Sequence, residues 1–211
     1  MTGWNPRGSS VAAFAPVRSS GRTARRTSRC DRPMATMNRV VVLGAGGAGK
    51  STMARQIGMT RGIPVLHLDP IYWKPGFVET PWEEMLERVR RFAHERDEWV
   101  IEGSAAEAAI DRADTVVFLD LPRRVFVRRF LNRWIRSKLL GGASSSDRPP
   151  WGDSLRPDIL LWVWRWRRLS RPKVIAAVQV AREQGKTVAQ VRTIGEEMVL
   201  LKQLQGQPHA G

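Results

Sequence analysis

Residues 43–52 read Leu43-Gly44-Ala45-Gly46-Gly47-Ala48-Gly49-Lys50-Ser51-Thr52, and no other stretch limits the fold so narrowly. Positions 44–51 satisfy G-x-x-x-x-G-K-[ST], the phosphate-binding loop (P-loop), a pattern that needs a buried strand before it and a helix after it. The chain supplies both. Val40-Val41-Val42-Leu43 is a short, continuous, β-branched run of the kind buried on both faces of a parallel sheet, and residues 51–59 suit a first helix. The glycines let successive backbone N–H groups converge on phosphate oxygens, and the helix N-terminus adds partial positive charge at the same point. Residues 44–52 are therefore expected to cradle the phosphates of ATP or another nucleoside triphosphate. Lys50 would reach the β- and γ-phosphates, Ser51 would ligate Mg²⁺, and Thr52 lies beside the cradle. A chance match in a chain of this size is on the order of one in a hundred before context is applied, so a plain Gly-rich turn is the weaker reading.

The rest of the chain alternates strand and helix. Residues 64–69 read as a second strand that delivers Asp69 at its carboxyl end. Thr80-Pro81-Trp82-Glu83 reads as a helix start, with Thr80 as cap and Glu83 closing a capping box. Trp82, Met85, Leu86, Val89, Phe92 and Ala93 then fall on one helical face. Residues 99–101 form a third strand ending at Glu102, and residues 115–119 a fourth ending at Asp120. A basic helix follows over about 122–140, then helices over about 158–170 and 172–184, a strand over 187–192 and a closing helix. This order predicts an α/β, three-layer P-loop NTPase fold with a central parallel five-stranded sheet and a small helical or loop lid. The domain spans 37–205, with the Gly/Ser/Pro-rich lid at about 137–157 and a tail at 206–211.

With 211 residues and 42% hydrophobic content, one core is expected. Cys30 is the only cysteine, which excludes an intramolecular disulfide and a zinc cluster and fits a reducing cytoplasm. Apolar runs such as 159–164 are too short to span a bilayer, so no membrane contact is expected. The net charge is +15, and residues 1–33 carry +6 of it through seven arginines against Asp31, leaving +9 on the remainder. The basic extension, 1–36, lacks periodicity and reads as disordered. Three readings of it stand side by side: a start at Met34 or Met37, a merely solvated arm, or a transit or nucleic-acid-binding tail. The summed positive charge points to anionic partners, either phosphorylated small molecules or nucleic acid.

These motifs together resemble the P-loop small-molecule kinases of the adenylate kinase type, and more narrowly the bacterial topology modulation proteins (FlaR type). Beyond the P-loop, the resemblance rests on His67-Leu68-Asp69 with Tyr72-Trp73-Lys74-Pro75-Gly76, on residues 97–103, on Ala113-Asp114-Thr115 through Leu121-Pro122-Arg123, and on Arg171-Pro172-Lys173. It implies that Glu102, where the family usually has aspartate, holds Mg²⁺ through water, and that Asp69 orients or deprotonates an acceptor hydroxyl. It implies that Arg129 and Arg133, four residues apart on one helix face, grip the transferring phosphate, with Arg148 and Arg156 as lower-ranked lid residues. A small acceptor of nucleotide or nucleoside type is the first expectation. A nucleotide-binding regulatory ATPase acting on nucleic acid, DNA or RNA, or on DNA topology, and a P-loop domain that binds without transferring phosphate are the alternatives. The family's asparagine and tyrosine after the third strand are replaced here by Ser104-Ala105-Ala106, which bears on acceptor binding.

Other residues have blander readings. Asp120 reads as structural, and His67 as a satisfied residue of its strand. Tyr72, Trp73 and Phe77 would either stack on an acceptor ring or pack a loop. Trp162, Trp164 and Trp166 alternate on a helix, so at least one should be partly exposed.

Overall fold

The continuous apolar runs become the inner strands of one sheet. The computed structural model describes residues 37–74, 78–140 and 164–205. Strand β1 (Arg39–Gly44) leads through the P-loop into α1 (Lys50–Arg61). Next come β2 (Val65–His67), α2 (Asp69–Tyr72), the short strands β3 (Trp73–Lys74) and β4 (Val78–Glu79), and α3 (Trp82–His94). Strand β5 (Trp99–Glu102), a 3₁₀ helix (Ala106–Arg112), β6 (Thr115–Leu119) and α4 (Arg123–Leu140) follow. Residues 164–169 are helical, and α5 (Arg171–Glu183), β7 (Thr187–Val191) and α6 (Ile194–Gln205) complete the described chain.

Five strands form one sheet in the order β2-β5-β1-β6-β7, every neighbouring pair parallel. Counted within this sheet alone, the order is 2-3-1-4-5. Val40, Val41 and Val42 are fully buried, as are Val100, Ile101, Val116 and Val117 on the flanking strands. Helix α1 covers β1, β2 and β5 and meets α6, whereas α5 and the 3₁₀ helix cover β1 and α3 packs on the 3₁₀ helix. The expected three layers with a parallel five-stranded sheet are thus observed. In a parallel sheet of this kind, ligands gather at the carboxyl ends of the strands, and β1, β2 and β5 all deliver P-loop-side residues there.

Several local expectations are corrected. Strand β2 stops at His67, so Asp69 does not end a strand but begins α2. Thr80 does not cap α3. Its hydroxyl donates to the Ile71 carbonyl at 2.7 Å and its N–H to that of Tyr72 at 2.7 Å, so Pro81 takes the cap position. The side chain is drawn back by the β3–β4 ribbon, which brings residues 71–72 beside it. The apolar face of α3 is as expected, with Met85, Val89 and Ala93 buried. Trp166 is buried and Trp164 is exposed, its ring covered by the Arg123 guanidinium at 4.1 Å. The extension 1–36, the lid beyond residue 140, Arg148, Arg156, Phe77, Trp162 and the tail lie outside the described residues. Among the described residues, no helix is long and apolar enough to cross a membrane.

Asp120, at the carboxyl end of β6, is buried and bound by Arg171 through two 2.7 Å bonds and by Gln190 Nε2 at 3.1 Å. This forked ion pair ties the start of α5 to β6 and β7, which is the structural role. Asp120→Ala would strand Arg171, and because Arg171 is partly exposed the expected loss is roughly 2 kcal/mol. Urea denaturation would measure it, and nucleotide affinity should be unchanged by calorimetry.

Candidate active site

The loop between β1 and α1 is held by its own backbone, with Ala48 N–H donating to Ala45 O at 3.1 Å and Met53 N–H to Gly49 O at 2.9 Å. Gly49 has φ of +101°, and a Cβ there would lie 3.0 Å from Arg129 Nη1; one on Gly47 would lie 3.0 Å from Phe126 O. Side chains at these points would fill the space between the loop and α4, so the glycines let the helix dock directly on the cradle. Lys50 is nearly buried and its ammonium donates to Ala45 O at 3.3 Å, across the loop.

Glu102 ends β5, beside β1, and is 1% exposed. Its Oε1 bonds His67 Nδ1 at 2.8 Å, and Oε2 is buried with no hydrogen-bond partner. Burial alone would push this carboxyl upward. The His67 hydrogen bond, the Lys50 charge and the nearby Ser51 hydroxyl outweigh it and hold the group below the usual carboxylate range. A charged carboxylate with one orphaned oxygen, facing a P-loop lysine and serine, is costly unless something cationic or hydrogen-bonding completes it. A hydrated Mg²⁺ beside a triphosphate fits this donor set.

Arg129 reaches the loop from α4. Its Nη1 donates to Ala48 O at 2.7 Å and to Glu197 Oε1 at 3.1 Å, and its Nη2 to Glu197 Oε2 at 2.5 Å. Glu197 was not expected from sequence. It sits in the first turn of α6, whose start is fixed by Glu196 N–H donating to Thr193 Oγ1 at 3.1 Å and Arg192 N–H to Glu196 Oε2 at 2.6 Å. The Thr-x-x-Glu spacing at 193–196 carries the signal for that cap, and the cap aims the next residue at Arg129. Glu197→Ala should cost roughly 1–2 kcal/mol, the range between exposed and buried pairs. Urea denaturation measures this, and an unchanged midpoint would mean that the pair contributes nothing.

Asp69 is partly exposed on α2, two residues beyond His67 at the same sheet edge. Tyr72 packs against the core; burial and a hydrogen bond with Glu79 push its hydroxyl upward, so it stays protonated. The side chain of Trp73 is outside the described residues. Arg133 lies one turn beyond Arg129 on α4, and its side chain is likewise not described. The structure thus gathers Lys50, Ser51, Glu102 and Arg129 around one loop, with His67 bonded to Glu102, while the Asp120 carboxylate is taken up by Arg171 and Gln190.

Among solved structures, the chain is similar to shikimate kinase from Bacteroides thetaiotaomicron, with 18% identity, 81% of this chain and 98% of that one covered, and a TM-score of 0.43. It is similar to a gluconokinase from Sinorhizobium meliloti 1021, with 16% identity, coverage of 81% and 90%, and a TM-score of 0.43. Deoxyadenosine kinase from M. mycoides gives 13% identity, coverage of 79% and 98%, and a TM-score of 0.37. Likenesses this distant say nothing of substrate or reaction. The sequence matches no protein-family model and none of the curated proteins.

Proposed function

We propose that this protein is a kinase that transfers the terminal phosphoryl group of ATP, or of another nucleoside triphosphate, to a small acceptor of nucleoside or nucleotide type. The observation that carries this reading is the buried, charged and half-satisfied Glu102 facing Lys50 and Ser51 at the mouth of a P-loop. Such a carboxylate suits a Mg²⁺-bound triphosphate, the donor that phosphoryl transfer requires.

The loop N–H groups of residues 44–52 bind and orient the triphosphate, and Lys50 places its charge where negative charge accumulates as the bond from the γ-phosphorus to the β–γ bridging oxygen breaks, the acceptor oxygen bonds to phosphorus and the nucleoside diphosphate leaves. Ser51, and Glu102 through water, would hold Mg²⁺, which when bound neutralises charge on the β- and γ-phosphate oxygens. Asp69 orients the acceptor hydroxyl and takes its proton. Arg129, which reaches the loop at Ala48 and pairs with Glu197, would grip the transferring phosphate together with Arg133, one turn on along the same helix.

The narrower resemblance to topology modulation proteins carries the rival reading, a nucleotide-dependent regulator on DNA, and the +9 outside the extension is what favours it. ADP release separates the two. Stimulation by a nucleoside, nucleotide or other small hydroxyl compound, insensitive to DNA, supports the kinase. Stimulation by duplex DNA that fades steeply with salt supports the regulator, and nucleotide binding without turnover a silent domain.

A further inference from the structure

The carboxylate that ends β5 is a glutamate, one methylene longer than aspartate, and so has one more torsion to fix. Something must choose which way its oxygens point. Strand β2 lies on the far side of β5 from the P-loop strand, and the parallel register sets His67 directly opposite Glu102. The backbone locks that register just beyond the strand, where Leu68 N–H donates to Glu102 O at 3.0 Å. His67 Nδ1 then meets Glu102 Oε1 at 2.8 Å, with the histidine side chain 14% exposed and the glutamate 1%. With Glu102 ionised, Nδ1 carries the proton and donates. Oε1 is thereby held by a residue of β2, and Oε2 is left buried with no hydrogen-bond partner in a carboxylate that feels Lys50 and Ser51.

We infer that His67 is a positioning residue of the metal site: by holding Oε1 of Glu102 it fixes the longer carboxylate so that Oε2 is presented to Mg²⁺ water beside Ser51. This rests on the kinase reading above, because it takes the metal to be the partner of Oε2. The histidine touches neither metal nor nucleotide. Its effect runs through the orientation of a group that does, as with other outer partners of metal-binding side chains.

The test is calorimetric binding of ATP to the full chain, once in EDTA and once with saturating Mg²⁺, for the unaltered protein, His67→Ala and His67→Asn. Asparagine keeps an N–H donor close to the place of Nδ1 and guards against a variant that simply fails to fold. The unaltered protein should bind ATP more tightly with Mg²⁺. His67→Ala should lose most of that increment, about ten-fold in affinity, while keeping its affinity for metal-free ATP, and His67→Asn should recover most of it. Equal weakening with and without the metal, or an increment untouched in His67→Ala, would overturn the inference and leave the kinase reading standing. An unaltered protein that gains nothing from Mg²⁺ would overturn both.

Discussion

Lys50→Ala is expected to leave a folded protein that transfers phosphate at least about 100-fold more slowly, the scale of losing one preorganised donor to developing negative charge. The lysine makes one bond of its own, to Ala45 O at 3.3 Å, and sits at the first residue of α1, where alanine is a good helix former. Its removal should therefore shift the melting temperature little. Glu102 would lose a favourable charge but keep its bond to His67. The comparison to make is ADP release alongside a thermal melt. A protein with unaltered melting and unaltered turnover would show that the loop does not act on a triphosphate.

Gly103→Ala is expected to unfold the protein by roughly 3 kcal/mol or more. Gly103 turns the chain sharply after Glu102 with φ of +132°, and an added Cβ would lie 2.6 Å from Leu68 Cβ and 3.3 Å from its Cγ. Leu68 is buried and joined to Glu102 through the backbone, so neither neighbour can retreat without moving the site. Backbone strain of roughly 1–3 kcal/mol adds to a similar cost of overpacking. For a chain of this length that lowers Tm by roughly 6–12 °C. Gly185→Ala is the internal comparison: its φ of +75° carries strain, but a Cβ there meets nothing within 4 Å. It should cost roughly 1 kcal/mol. Equal melting of the two variants would mean that the contact with Leu68 yields easily.

The sheet was legible because its strands are continuous apolar runs that end in punctuating residues. Val40–Leu43 stops at glycine, and residues 115–119 stop at Asp120. The P-loop was legible because a local pattern encodes a local shape. What could not be read was pairing at a distance. Nothing near Arg129 announces Glu197, 68 residues away, and nothing near His67 announces Glu102 across a strand pair that forms only in the sheet. Arg129, which the resemblance implies is a phosphate clamp, reaches the loop backbone at Ala48 and pairs with Glu197, a partner its own helix does not announce. Thr80 shows the converse failure. Its local pattern is that of a cap, but the β3–β4 ribbon brings Thr80 back beside the Ile71 carbonyl of α2, and the hydroxyl donates there. Asp120 is likewise held by Arg171 and Gln190, which come from later elements that its own strand does not announce.

Transfer of label from γ-³²P-ATP to a non-water acceptor by the full chain with Mg²⁺ tests the account most directly, across a panel of nucleosides, nucleotides and other small hydroxyl compounds. The account predicts a labelled acceptor, absent with Lys50→Ala and strongly reduced without Mg²⁺. Label appearing only as inorganic phosphate, or remaining on ATP while ATP still binds, would contradict it.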